Sequence, residues 1–223
     1  MSLVRKTVGD LFDEVALKFP EKEALVDLPQ KVRFSYEELL AMVNQTAKGF
    51  LKLGLKEGDH LALWSPNRWE WTITQLALAK IGVVLISLDT SCKVEQLEYF
   101  LRQSDSKFLV MAEGMKGSEY IDMIHQLCPE VKEAIPGQLT SRAFPELRNI
   151  ILISGRTLEG MFHWKDILDV GRDIPGRMLA ERQASCREDH IVTILYTSGT
   201  TGAPKGVMST HFGILNTTLA SAE

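Results

Sequence analysis

The residues of this chain that could do chemistry are concentrated in one run near its carboxyl end, from Tyr196 to Val207. Six consecutive residues of this run, 197–202, are glycine, serine or threonine, and Lys205 follows shortly afterwards. Glycines let backbone N–H groups converge on a ligand, hydroxyls donate hydrogen bonds to phosphate oxygens, and a lysine supplies positive charge. The run therefore predicts a loop that binds a polyphosphate.

The spacing within the run differs from two common phosphate-binding motifs. A P-loop has the pattern G-x-x-x-x-G-K-[ST], whereas Lys205 here follows a proline and comes after the hydroxyl-bearing residues. The dinucleotide motif G-x-G-x-x-G also fails, because Gly199, Gly202 and Gly206 are spaced three and four positions apart. A flexible surface loop is the alternative interpretation. The apolar segment 191–195 before the run and the Pro-Lys-Gly within it favour a binding site instead.

The run resembles the phosphate-binding signature of the adenylate-forming enzymes, which include acyl-CoA synthetases, luciferases and the adenylation domains of peptide synthetases. Their signature, aromatic-T-S-G-[ST]-T-G-x-P-K-G-V, fits residues 196–207 at every position. The upstream segments 34–39 (FSYEEL), 54–59 (GLKEGD) and 65–71 (SPNRWEW) are similar, in order and spacing, to the fatty acyl-CoA synthetase branch. The resemblance covers nearly the whole chain.

This resemblance implies an ATP-dependent fatty acid–CoA ligase of lipid metabolism. Such an enzyme forms an acyl-adenylate from a carboxylate and ATP, releases pyrophosphate, and then makes a thioester with CoA. It implies ATP, a fatty acid and CoA as ligands and Mg²⁺ as a cofactor, with metal ligands that the sequence does not identify. It also implies a catalytic role for Lys205, which adds charge to the loop. The implied nucleotide-binding residues are Thr197, Ser198, Gly199, Thr200, Thr201, Gly202, Ala203, Pro204 and Lys205.

Three features that the family places later in its chain do not occur in these 223 residues. They are an aromatic-Gly-x-Thr-Glu motif, a Thr-Gly-Asp motif, and a small C-terminal domain that bears a second lysine. We therefore expect an N-terminal portion of the ligase, without turnover on its own. Two alternatives stay open. One is a portion of another adenylate-forming ligase, acting on an aryl acid, acetate or an amino acid; the other is a short non-catalytic protein that binds a nucleotide or a partner.

Composition restricts the class of protein further. Lys and Arg number 25 against 29 Asp and Glu, a formal net charge of −4, and no basic block occurs, so nucleic acid is not an expected partner. The longest apolar stretches, such as residues 82–88, are too short to span a bilayer. The three cysteines, Cys92, Cys128 and Cys186, are widely spaced and fit a reducing compartment. We expect a cytoplasmic location.

The elements that must position the run alternate between strand-like and helix-like segments. This alternation predicts an α/β fold with a mainly parallel sheet flanked by helices, and the resemblance makes it a truncated N-terminal part of the adenylate-forming enzyme fold. Residues 1–187 are predicted to form a first α/β subdomain. Residues 188–223 are predicted to hold the strand before the loop and the incomplete start of a second subdomain. An incomplete sheet exposes a face or an edge, so we expect the isolated chain to self-associate.

Individual segments follow from periodicity and capping signals. A capping box is predicted at Ser35 and Glu38. The polar stretches 129–146 and 171–187 are predicted to be long surface connections. Strands are predicted at 24–27, 32–34, 61–64, 83–88, 107–111, 149–153 and 191–195, and helices at 8–19, 69–80, 94–103, 120–127, from about 36 to 51 and from 211 onward.

Five other residues are weaker candidates because they lie near predicted strand or helix ends. Tyr196 is predicted to pack beneath the loop, and His211 to cap or pack. Asn67 is predicted to be a helix N-cap. Asp89 and Cys92 follow a strand end, where ligands bind in open α/β sheets. The family usually has Asn-Pro where this chain has Asp89 and a threonine.

Overall fold

A computed structural model of the protein describes residues 3–115, 118–197 and 203–221. The α-helices are α1 (Val8–Lys18), α2 (Tyr36–Lys52), α3 (Trp69–Ile81), α4 (Val94–Gln103), α5 (Tyr120–Leu127), α6 (Trp164–Val170), α7 (Gly176–Ser185) and α8 (His211–Ser221). The strands are β1 (Glu23–Asp27), β2 (Val32–Ser35), β3 (His60–Trp64), β4 (Val84–Ser87), β5 (Phe108–Ala112), β6 (Gly114–Met115), β7 (Ser118–Glu119), β8 (Asn149–Ile153), β9 (Phe162–His163), β10 (Ile191–Thr197) and β11 (Lys205–Thr210). Two 3₁₀ helices cover Pro129–Glu133 and Gly171–Asp173.

The main sheet joins seven strands of the described chain in the order β11-β10-β4-β3-β5-β8-β9. All neighbouring pairs are parallel except β10–β11, which is an antiparallel pair at one edge. The predicted α/β fold with a mainly parallel sheet is confirmed. Because β10 lies beside β4, the strand before the loop belongs to the same sheet as strands from residues 1–187. The division of the chain into two subdomains stays a prediction.

Helices cover both faces of the sheet, which explains why its central strands are continuous apolar runs. Leu61 and Leu63 of β3 point to one face, where they pack with α2, α3, α6 and α7. Ala62 and Trp64 point to the opposite face, where they pack with α4 and α5. These four side chains are 0% exposed. The alternation along one short strand thus builds two separate cores.

Three helix starts show how local capping and a tertiary contact each begin a helix. The Thr7 hydroxyl accepts the N–H of Asp10 at the start of α1, and the predicted Ser35–Glu38 capping box is present at α2. The prediction that Asn67 caps the next helix is wrong. The N-cap of α3 is the following residue, without a side-chain cap, and a carboxylate oxygen of Asp27 accepts the N–H of Trp69 at 3.0 Å. A carboxylate is favoured at a helix N-terminus.

The two predicted surface connections are partly wrong. The second contains α7, whose Leu179 is 6% exposed and whose Gln183 donates to Asp10 and Asp13 of α1. The first buries Val131, Leu139 and Phe144 against the core of α4 and α5. Both stretches pack through a few apolar residues that lack a regular period, and so their sequence resembles that of a loop.

Candidate functional site

The described ends of the signature run lie on two paired antiparallel strands, β10 and β11, which are called the hairpin below. Thr197 on β10 pairs with Lys205 on β11, and the Thr197 hydroxyl donates to the Lys205 carbonyl oxygen at 3.5 Å. The structure places the two ends of the run, Thr197 and residues 203–205. The predicted phosphate-binding residues Ser198, Gly199, Thr200, Thr201 and Gly202 lie outside the described residues.

The hairpin sits at the carboxyl edge of the parallel strands. β10 pairs in parallel with β4, with Leu195 opposite Ser87, so the end of β10 lies beside the loop that follows β4. This edge is where ligands bind in open α/β sheets. The position of the run in the fold therefore agrees with a binding role.

Lys205 is exposed, and no carboxylate in the described part of the chain forms an ion pair with it. The preceding Pro204 restricts the backbone φ angle to about −65°. The following Gly206 pairs with Tyr196, and a Cβ on Gly206 would lie 2.9 Å from Cγ2 of Ile194. The glycine thus lets the two strands pack closely while the lysine side chain stays available to an anion.

Tyr196 packs at the base of the hairpin, as predicted. Its ring centroid lies 4.6 Å from that of Phe100 and 6.4 Å from that of Tyr99, both on α4. Burial, with the nearby Tyr99 and Asp105, raises the pKa of the Tyr196 phenol. Tyr196 is therefore a neutral packing residue of the strand end.

The loop after β4 is held by hydrogen bonds from two stacked aromatic side chains. Trp64 donates to the Asp89 carbonyl oxygen at 3.1 Å, and the Tyr120 hydroxyl donates to the Thr90 carbonyl oxygen at 2.7 Å. The Asp89 carboxylate accepts the N–H and the hydroxyl of Ser91, and these bonds lower the pKa of Asp89. Asp89 therefore closes a local turn at the position where adenylate-forming enzymes usually have asparagine.

Two further candidates are buried in the fold. Cys92 is 2% exposed, and burial raises the pKa of its thiol to about 12. His211 is 0% exposed, and its Nδ1 accepts the N–H of Val8 at 3.1 Å. Burial, helped by the neighbouring His190, lowers the pKa of His211 to about 4. The prediction that His211 caps or packs is confirmed, and the helix that it caps is α1.

One contact at the site has no signal in the sequence. The Tyr99 hydroxyl, on α4, donates to the Pro204 carbonyl oxygen at 2.9 Å. The two residues are 105 positions apart, and a tyrosine on an amphipathic helix gives no signal of such a contact.

The described residues do not identify the ligands of a metal ion. In residues 3–115, 118–197 and 203–221, no group of three or more His, Cys, Asp or Glu side chains is arranged to hold one. The Mg²⁺ expected from the resemblance thus has no matching ligand set in the described chain. The same residues contain no helix of the length and apolar character needed to cross a membrane.

Residues 12–223 match the family model described as AMP-binding enzyme. The chain belongs to this family. It is 39% identical over 221 residues to the Bacillus subtilis protein YngI, which carries the name of an acyl-CoA synthetase. It is also 36% identical over 220 residues to the mitochondrial medium-chain acyl-CoA ligase ACSF2 of Mus musculus. These alignments cover 99% and 97% of this chain, which spans 40% and 35% of the length of the two relatives.

Solved structures of adenylate-forming enzymes share the fold. The N-terminal domain of FACL13 from Mycobacterium tuberculosis superimposes with a TM-score of 0.70 at 26% identity, covering 92% of this chain and 44% of that one. Mycobacterium smegmatis MbtA superimposes with a TM-score of 0.78 at 23% identity, covering 99% of this chain and 36% of that one. The chain thus has the fold of the N-terminal part of adenylate-forming enzymes, as predicted.

Proposed function

We propose that the whole protein is an ATP-dependent fatty acid–CoA ligase and that the signature hairpin binds the triphosphate. The observation that carries this proposal is the exposed Lys205, without an ion-pair partner among the described residues, at the carboxyl edge of the sheet in an AMP-binding chain. The names of the relatives support an acyl-CoA product. The similarity to a medium-chain acyl-CoA ligase favours a fatty acid over an aryl acid, acetate or an amino acid.

The chemistry explains why such a hairpin is useful. A carboxylate oxygen of the acid attacks the α-phosphorus of ATP, and the bond to pyrophosphate breaks. Negative charge grows on the leaving oxygens, so catalysis depends on positioned donors and positive charge. We assign the backbone and hydroxyl donors of residues 197–204 to the β- and γ-phosphates. The ammonium of Lys205 balances the growing charge on pyrophosphate.

The remaining expectations are proposals of the same kind. We propose that the 223 residues alone have no ligase turnover, and that Mg²⁺ assists the whole protein through ligands outside the described residues. No step above depends on the metal. We propose a cytoplasmic location from the three unpaired cysteines. Cell fractionation tests this directly, since the mouse relative is named mitochondrial.

Pyrophosphate release by the whole protein tests the proposed function. With saturating ATP, wild type should respond to fatty acids in a panel that also holds aryl acids, acetate and amino acids. Lys205→Ala should lower kcat by about 10²–10³-fold, the range found when one donor to a developing charge is removed. Lys165→Ala is the matched control, because Lys165 is also exposed and lies on α6.

Two outcomes would contradict the proposal. An unchanged rate for Lys205→Ala removes the role of the lysine. No pyrophosphate release with any acid, together with ATP binding, would favour the non-catalytic nucleotide-binding alternative.

A further inference from the structure

Two neighbouring residues of α4 contact the chain on both sides of residues 198–202. The Phe100 ring packs on Tyr196, which precedes these residues. The Tyr99 hydroxyl donates to the carbonyl oxygen of Pro204, which follows them. One turn of one helix therefore touches the entry and the exit of the signature run.

The helix that makes these contacts is firmly placed. Its first turn is closed by the N–H of Lys93, which donates to the Gln96 side chain at 2.9 Å. Its inner face buries Leu97, Phe100 and Leu101, which are 0%, 5% and 3% exposed. A hydroxyl on such a helix has a defined position, as a positioning group requires.

Residues 203–205 have few other anchors in the part of the chain that the structure describes. Among the described residues, Tyr99 is the one side chain outside the hairpin that hydrogen-bonds to residues 203–205. Lys205 is exposed on β11, the edge strand of the sheet. The orientation of the lysine therefore depends strongly on what holds the peptide before it.

We propose that Tyr99 is a positioning residue for adenylate formation, because it orients Lys205 through the Pro204 carbonyl. The carbonyl of Pro204 and the N–H of Lys205 belong to one peptide group, which is planar. A hydrogen bond that fixes this carbonyl also fixes the plane from which the lysine side chain departs. This inference rests on the proposed function of Lys205 in handling the triphosphate.

A double-mutant cycle in the whole protein tests the proposal. Tyr99→Phe removes the hydroxyl and keeps the ring contacts with Tyr196. We expect kcat for pyrophosphate release to fall about 10-fold, while KM for the acid is unchanged. In the Lys205→Ala background the same change should have little further effect, since residues that act as a unit are non-additive. Tyr36→Phe, on α2, is the control and should leave kcat unchanged.

Trypsin cleavage of the 223-residue chain supplies a readout that does not need catalysis. Cleavage after Lys205 requires this part of the hairpin to enter the protease. Tyr99→Phe should speed cleavage at this bond several-fold and leave cleavage after other exposed lysines, such as Lys165, unchanged. Circular dichroism and thermal unfolding verify that the fold is intact.

The outcomes separate this inference from the proposed function. Additive effects of Tyr99→Phe and Lys205→Ala, or no effect of Tyr99→Phe on kcat, overturn the inference and leave the proposed function standing. If Lys205→Ala keeps full activity, the proposed function fails, and the positioning role fails with it. Equal trypsin cleavage of wild type and Tyr99→Phe would show that the hydroxyl does not hold the hairpin.

Discussion

The helical layer around α2 is tightly packed, whereas the β10–β11 hairpin leaves much of its side-chain surface exposed. α2 and α6 approach so closely that a Cβ on Gly49 would lie 2.1 Å from the carbonyl oxygen of Ile167. On the hairpin, Leu195 and Val207 lie directly opposite each other and are each 48% exposed. The closed region fixes the fold, whereas the open region carries the candidate site.

Two lysines, one in each region, differ in the same way in their burial and ion pairing. Lys80 is 2% exposed, and its ammonium lies 2.6 Å from both Asp13 and the Asn44 side chain. Burial lowers the pKa of Lys80, although Asp13 and Asp10 act to raise it. Lys205 has no ion pair with any described residue. The chain itself pairs the first lysine, whereas the second is exposed and has no ion-pair partner among the described residues.

The comparison predicts its largest loss of stability when a single methyl group is added in the closed region, where α2 packs on α6. Gly49→Ala forces α2 away from the backbone of α6, because the clash involves a carbonyl oxygen and cannot be relieved by a rotamer change. We expect the free energy of unfolding to fall by about 4 kcal/mol or more, above the usual range for overpacking. Urea unfolding followed by circular dichroism measures this change.

The matched control for this change is Gly155→Ala. Nothing lies within 4 Å of a Cβ built on Gly155, so the free energy of unfolding should change by less than about 0.5 kcal/mol. Equal urea midpoints for the Gly49 and Gly155 variants would show that α2 and α6 can move apart freely, and the description of this region as closed would be wrong.

A smaller effect is expected at His211, where the two regions meet. In the folded protein, burial lowers the pKa of His211 to about 4, below the ordinary histidine value of 6.5. The unfolded chain therefore binds the extra proton first, and the free energy of unfolding falls as the pH is lowered from 6.5 to about 4. A shift of this size corresponds to about 3 kcal/mol at most.

The variant that isolates this contribution is His211→Gln. Glutamine keeps an acceptor for the Val8 N–H and does not ionise in this pH range. Urea unfolding from about pH 7 to about pH 4 should then show a flatter pH dependence than wild type. The charged groups near this site, His190 and Asp10, are present in both proteins. If the two proteins show the same pH dependence, His211 takes up its proton as readily in the folded protein as in the unfolded chain, and the prediction is wrong.

The sequence predicted well those elements that local signals determine. The bounds of α4, α5 and β8 agree with the predicted ranges 94–103, 120–127 and 149–153. The capping box of α2 was also predictable, because both of its partners lie within one turn. These features need no knowledge of the tertiary structure.

The errors concern contacts between distant parts of the chain. The segment of α7 was predicted to be a loop, because a helix that buries the single residue Leu179 shows no apolar period. Its other anchor is the hydrogen bond from Gln183 to Asp10, 173 positions away. The strand β11 was not predicted, because its exposed residues carry no alternating pattern. At the candidate site, the motif identified the loop residues by type. The support from Tyr99 depends on packing that no local pattern encodes.

The smallest effect on stability, and the most direct test of the open region, comes from its outer face. Leu195 and Val207 form an apolar pair beside the free edge of β11, and exposed edges of this kind promote association. The double variant Leu195→Thr/Val207→Thr keeps a β-branched side chain, which favours strands, on both β10 and β11. The free energy of unfolding should therefore change by less than about 1 kcal/mol.

Light scattering of the isolated chain at micromolar concentrations measures the expected change in association. Wild type should exceed the monomer mass, and the double variant should approach it. Leu17→Ser is the control, because Leu17 is 75% exposed and lies on α1, which is not part of the hairpin. If the control reduces association as much as the double variant does, general stickiness explains the mass. If wild type is already a monomer, the hairpin face does not bind a second copy, and the contrast between the two regions is then one of exposure alone.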